Sequence, residues 1–147
     1  MDIEIWAHEH LYERMYPLYD YVVYNGSTAA PYTEPTAPIH IITGSAGCPE
    51  GLDPFVDDPA YWSAKRISDY GYTKMIVHNA THLSMEQISA VQEGKVVDQF
   101  TIKKSTHGAY PKPTKGYRHY NKEKHNENLF KMDIEHLLKR KKSPKHP

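Results

Sequence analysis

The chain is poor in cysteine, lacks long apolar runs and has little positive charge over its first two thirds. One of its 147 residues is cysteine, Cys48, so an intrachain disulfide framework is excluded. Its apolar runs fall short of the roughly 20 residues that a membrane-spanning helix needs. The opening M-D-I-E-I-W has neither the basic stretch nor the extended apolar core of a signal peptide, so none is expected in the chain as written. Residues 1–102 hold five Lys/Arg against fourteen Asp/Glu, about −9, whereas residues 103–147 hold thirteen against four, about +9. The formal net charge of zero therefore conceals two regions of different physics. At this length one domain with an appendage is expected.

The acidic region reads mainly as strands. Ile3 to His10 is expected to be a strand with Ile3, Ile5 and Ala7 on one face and Trp6, His8 and His10 on the other. Apolar residues on both faces imply cover from both sides, as in a parallel or mixed sheet. Such a strand needs neighbours, so residue 3 is not expected to open the natural unit. Tyr19 to Tyr24 reads as a second strand closed by Asn25-Gly26, and residues 27–38, with three prolines, as a loop. Pro38 opens P-I-H-I-I-T-G-S-A-G, a short apolar run ending in a glycine-rich turn. Residues 47–60 are loop-like, and Y-W-S-A-K-R-I-S fits either a turn of helix or an extended segment. Gly71 to His78, Thr81 to Ser89 and Val96 to Ile102, joined by Asn79-Ala80 and Glu93-Gly94-Lys95, predict an antiparallel meander. Beyond Lys103 the pattern dissolves into Lys, His, Tyr and Pro, a composition expected to be disordered. Leu129 to Lys142 has helical spacing through Leu129, Met132, Ile134, Leu137 and Leu138.

His8 and His10 stand two apart, so in a strand both imidazoles point to one side. At the carboxyl end of that strand they would enter the crevice where open α/β sheets bind ligands. Neutral imidazole suits Zn, Fe or Mn. A bare H-x-H is more often a pair of polar residues at a strand end than a metal site, so its surroundings decide.

H-E-H-L-Y-E-R at residues 8–14 resembles the H-x-H-x-Y-E-R signature of the purple acid phosphatases, in the metallophosphoesterase superfamily. The resemblance continues in order through P-I-H-I-I-T-G-S-A-G-C at 38–48, W-S-A-K-R at 62–66 and Y-G-Y at 70–72. It ends with H-N-A-T-H at 78–82 and G-K-V-V-D at 94–98. The A-H-E-H and T-G-S-A-G-C versions look most like the animal acid phosphatase type 7 branch. The resemblance implies an α/β fold: the C-terminal part of a metallophosphoesterase β-sandwich flanked by helices, here mostly β strands and incomplete, followed by the basic tail. Residues 1–102 would be the C-terminal segment of the catalytic domain and 103–147 the tail.

The resemblance also implies chemistry. The family hydrolyses phosphate monoesters at acid pH with a dinuclear centre, ferric iron beside a divalent Fe, Zn or Mn. By position His8 would bind the divalent ion and His10 the ferric ion. Ala7 replaces a commoner glycine. Glu13 and Arg14 would hold the turn through an ion pair, and Tyr12 is not the iron-binding tyrosine, which belongs to an earlier motif. The family's remaining ligands lie in G-D-x-G, G-D-x-x-Y, G-N-H-[DE] and a separate histidine motif, none of which occurs in this sequence. Without two metals about 3.5–4 Å apart, no bridging water is activated and no leaving oxygen is clamped. The chain alone is therefore expected to be inactive, with no catalytic residue of its own to name. His40, His78 and His82 are not expected to rebuild a site, because they lie far along the fold from His8 and His10.

Asn25-Gly26-Ser27 and Asn79-Ala80-Thr81 are N-glycosylation acceptor triplets, and the family resemblance implies secretion or a lysosomal destination. Lys and Arg interleaved with Tyr in the tail could bind a nucleic acid or other polyanion, although a solvated extension is the commoner meaning of such a run. Two readings follow: a phosphatase fragment, or a non-catalytic β-rich binding protein with a polyanion-binding tail. A strand stripped of its neighbours exposes a pairing edge, so isolated residues 1–102 are expected to be poorly soluble or partly folded.

Overall fold

The structure, a computed structural model, describes residues 1–24 and 30–110. Among these residues it is built from strands and turns, with no helix. The strands are β1 (Ile3–Trp6), β2 (Tyr12–Met15), β3 (Leu18–Tyr19), β4 (Val22–Val23), β5 (Ile39–Thr43), β6 (Ser63–Ile67), β7 (Gly71–Asn79), β8 (His82–Ser89) and β9 (Lys95–Lys103). They form a four-stranded sheet in the order β1-β5-β2-β6, a three-stranded sheet β7-β8-β9 and the small hairpin β3-β4. The mostly β architecture anticipated from the sequence is what the chain adopts.

The four-stranded sheet is mixed. β1 runs parallel to β5, with Ile3 opposite Ile39 and Ile5 opposite Ile41, while β2 lies antiparallel between β5 and β6. The expected strand from Ile3 to His10 therefore stops at Trp6. To return as the antiparallel β2, the chain must cross the end of β5, and residues 7–11 make that crossing. β2 itself is the charged tetrapeptide Y-E-R-M, whose strand character depends on partners distant in sequence. The expected strand from Tyr19 to Tyr24 folds into the β3-β4 hairpin instead. Asp20 (φ 47°) and Tyr21 (φ 58°) occupy the left-handed region, as a two-residue type I′ turn requires. Residues 63–67 resolve as extended chain. The meander is as anticipated, with β8 pairing antiparallel to both β7 and β9. The helical spacing over 129–142 and Asn25 lie outside the described residues.

The period-2 pattern of β5 turns Ile39 and Ile41, both fully buried, inward, and His40 the other way. They meet Met85 of β8 and Phe100 and Ile102 of β9, with Tyr12 and Tyr32 completing the cluster. The core therefore lies between the four-stranded sheet and the meander.

Two ion pairs brace this core, and both involve the Y-E-R segment. Alternation sends Tyr12 and Arg14 inward and Glu13 outward. Arg14 donates from Nε to Asp98 Oδ2 at 2.7 Å and from Nη2 to Oδ1 at 2.9 Å, while the Tyr12 hydroxyl donates to Oδ2 at 2.8 Å. The guanidinium also lies 4.8 Å from the Phe100 ring centroid and donates to the Tyr32 hydroxyl at 2.6 Å. Burial acts to raise the Asp98 carboxyl, but the hydrogen bonds and charge of Arg14 outweigh it and hold the group below its ordinary range. On the outer face Arg66 of β6 donates to Glu13 at 3.2 Å. Glu13 and Arg14 thus each join an ion pair, but with different partners.

The strand β9 does not end the ordered body. Lys103 donates its N–H to the Tyr32 carbonyl at 3.0 Å, and Lys104, buried, donates its N–H to the Thr81 carbonyl at 2.9 Å. Residues 103–110, on the tail side of the expected boundary, make further side-chain contacts described below.

Candidate metal centre

His8 and His10 lie in the crossing segment at the carboxyl end of β1, not within the strand. His8 is exposed and the His10 side chain is about a quarter exposed.

Three features fix this segment. At Gly44, just beyond β5, an added Cβ would stand 2.0 Å from the Glu9 carbonyl oxygen and 2.5 Å from that of Ala7. The glycine of T-G-S-A-G therefore lets the His8 loop cross at backbone contact. The Gly44 N–H also donates to the Leu11 carbonyl at 3.0 Å. Finally, Asp53 grips His10 from both sides of its peptide: the His10 N–H donates to Asp53 Oδ2 at 2.7 Å, and the Asp53 N–H donates to the His10 carbonyl at 3.1 Å. Sequence reasoning treated residues 47–60 as loop and missed Asp53. The available cue was an Asp beside Pro54, since loop Asp carboxylates commonly cap backbone N–H groups.

An open pocket of about 310 Å³ sits against this segment, lined by His10, Thr43, Gly44, Cys48 and Glu50 among others. Glu50 Oε1 lies 3.8 Å from His10 Nδ1. Cys48 is buried, with its thiol directed to the Gly51 carbonyl at 3.0 Å.

His40, His78 and His82 are engaged elsewhere. His40 Nε2 meets the Leu18 carbonyl at 3.0 Å, His78 Nε2 the Ser84 hydroxyl at 2.8 Å, and His82 Nδ1 the Thr81 hydroxyl at 2.8 Å. Among the described residues no three His, Cys, Asp or Glu side chains come together in a way that could hold a metal ion. His8 and His10 thus lie on a segment whose backbone is held by Gly44 and Asp53. Among the described residues, two imidazoles by themselves do not make up a dinuclear centre.

Residues 37–99 match the family model described as "Iron/zinc purple acid phosphatase-like protein C". That region of the chain belongs to the purple acid phosphatases, in their C-terminal portion. Among purple acid phosphatase relatives, acid phosphatase type 7 of Danio rerio is 57% identical over 108 residues, covering 74% of this chain and 24% of that protein. The Homo sapiens protein of the same name is 52% identical over 102 residues, 69% of this chain and 23% of that protein. A purple acid phosphatase from yellow lupin (Lupinus luteus) seeds superposes with a TM-score of 0.66 at 27% identity, covering 80% of this chain and 21% of that one. The chain spans about a quarter of the length of the curated relatives it matches. The purple acid phosphatase family implies a dinuclear metal centre and a phosphate ester substrate. No helix among the described residues is long and apolar enough to cross a membrane.

Proposed function

We propose that this chain supplies the C-terminal portion of a metal-dependent phosphomonoesterase and contributes His8 and His10 to a divided dinuclear centre. In this reading His8 binds the divalent ion, Fe, Zn or Mn, and His10 the ferric ion. The remaining ligands come from chain that corresponds to the other three quarters of the relatives. The observation that carries the reading is the clamp on residues 7–11. Backbone contact with Gly44 and a two-sided grip by Asp53 fix the backbone of a segment that carries His8, exposed, and His10, partly exposed. Such outer support is what orients metal ligands.

On this reading the isolated chain neither retains iron nor turns over a phosphate ester. Metal analysis of the purified chain, with an aryl phosphate assay at acid pH, tests this directly. Stoichiometric iron with turnover would defeat it.

A secretory or lysosomal destination goes with the type 7 relationship. Asn79 then becomes a glycan acceptor at the exposed β7–β8 turn. Its Oδ1 accepts from the Thr81 N–H at 2.8 Å, the Thr81 hydroxyl at 2.9 Å and the His82 N–H at 3.0 Å, so Nδ2, where a glycan attaches, stays uncommitted.

A further inference from the structure

We propose that His107 is the proton-operated part of a latch that holds residues 104–110 across the beginning of β1, closed while the imidazole is protonated and released when it is not. Asp2, just before β1, is the catch. Its Oδ1 accepts from the Lys104 ammonium and, at 3.1 Å, from the Tyr110 hydroxyl, and its Oδ2 lies 2.8 Å from His107 Nδ1. The other ring nitrogen, Nε2, lies 2.7 Å from the Ala80 carbonyl in the β7–β8 turn.

Both partners of the ring can only accept. A neutral imidazole has a single N–H, so it can satisfy one of them, and both bonds at once require the imidazolium. Deprotonation removes one bond and leaves a nitrogen lone pair facing an oxygen.

The groups around the ring set the direction. Asp2 faces it from the start of β1, and the β7–β8 turn presents the Ala80 carbonyl. His82, the first residue of β8, is engaged with the Thr81 hydroxyl. On the same segment Lys104 opposes a second positive charge, with its ammonium 3.9 Å from the Tyr110 ring centroid. Glu34 accepts from the Ser105 N–H at 3.1 Å. The hydrogen bond to Asp2 and then that to Ala80 raise His107 above its ordinary value of 6.5, against desolvation and Lys104. Burial acts to raise Asp2, but hydrogen bonds from Lys104, His107 and Tyr110 bring it down to about 2.

For a raised histidine, the stabilisation is fully present below its unfolded value of 6.5 and is lost as pH rises through the folded value. For the depressed Asp2, it is present above 3.8 and is lost as pH falls through about 2. The latch is therefore shut throughout mildly acid conditions and opens toward neutral and alkaline pH. Its release frees the start of an edge strand that pairs on one side only and leads straight into the His8 loop.

This inference is independent of the metal-site reading, and its test uses neither metal nor activity. In the full chain at micromolar concentration, exchange of the His107 ring C2–H, followed by mass spectrometry, reports its pKa. Amide exchange reports protection of residues 2–6 and 104–110. The pKa is expected above 6.5. Protection, corrected for intrinsic exchange, should hold from about pH 5 to 6.5, fall by up to about tenfold per pH unit between 6.5 and that pKa, and level off above it, as a one-proton linkage requires. In His107→Gln it should be low and flat. A His107 pKa at or below 6.5 would overturn the latch, as would protection that stays flat through the titration or keeps its pH dependence in the variant. Should that variant not fold, Asp2→Asn replaces it and must lower the His107 pKa; no change would equally overturn the latch.

Discussion

Asp98 receives three donors from the opposite sheet, two from Arg14 and one from Tyr12. With side-chain exposures of 13% for Arg14 and 8% for Asp98, the pair is largely out of water. Removing one partner leaves the other charge buried and unpaired. Asp98→Ala is therefore expected to destabilise the fold by about 3–5 kcal/mol, read by urea unfolding. Adding Arg14→Met should recover part of that loss; a double variant as unstable as the sum of the two singles would refute the coupling. The depressed carboxyl of Asp98 sets the pH sense: its contribution is present above the ordinary carboxylate value and is lost as pH falls through the lowered one. Gly44→Ala puts a methyl group into two carbonyl oxygens. It should cost about 1–3 kcal/mol and speed amide exchange in residues 7–11, whereas unchanged stability would mean that the crossing is looser than drawn. The Y-E-R motif was recognisable in the sequence, but its partners were not. Arg66 and Asp98 stand 53 and 84 residues away from the groups they bind, and no local pattern encodes such a pairing. Both lie in stretches that resemble the family, W-S-A-K-R and G-K-V-V-D, so the motifs are in part a set of mutual contacts.

The meander was legible as an element because its pairings are local and its turns carry Asn79 and Gly94 with the usual turn chemistry. β2 was hidden by its charges, which find opposite charges in Arg66 on the neighbouring strand and in Asp98 of the facing sheet. The β3-β4 hairpin was hidden because Asp20 and Tyr21 turn the chain without glycine. The two outer strands carry a liability. Met75 and Val77 of β7 pair with Met85 and Leu83 on the core-facing side, yet are 50% and 65% exposed. Ile5 and Trp6 of β1 are 48% and 55% exposed. Apolar residues on an open strand edge invite intermolecular pairing. The purified chain should therefore self-associate as its concentration rises, and Met75→Lys with Val77→Lys should suppress this. Sedimentation showing a monomer at all concentrations in the unsubstituted chain would count against it.

For the whole molecule, the sequence carried the family resemblance, while the backbone contacts that fix residues 7–11 came from Gly44 and Asp53. On the proposed reading, a body that spans a quarter of its relatives' length and carries His8 and His10 on a braced loop holds a share of a site. The most direct measurement is the metal content and phosphatase activity of a chimera in which these residues replace the matching segment of the Danio rerio relative. If His8 and His10 are ligands of a divided centre, the chimera holds both metals and hydrolyses an aryl phosphate. His8→Ala then loses the divalent ion and His10→Ala the iron, with activity lost in each. Full metal content and turnover in both variants would contradict the assignment.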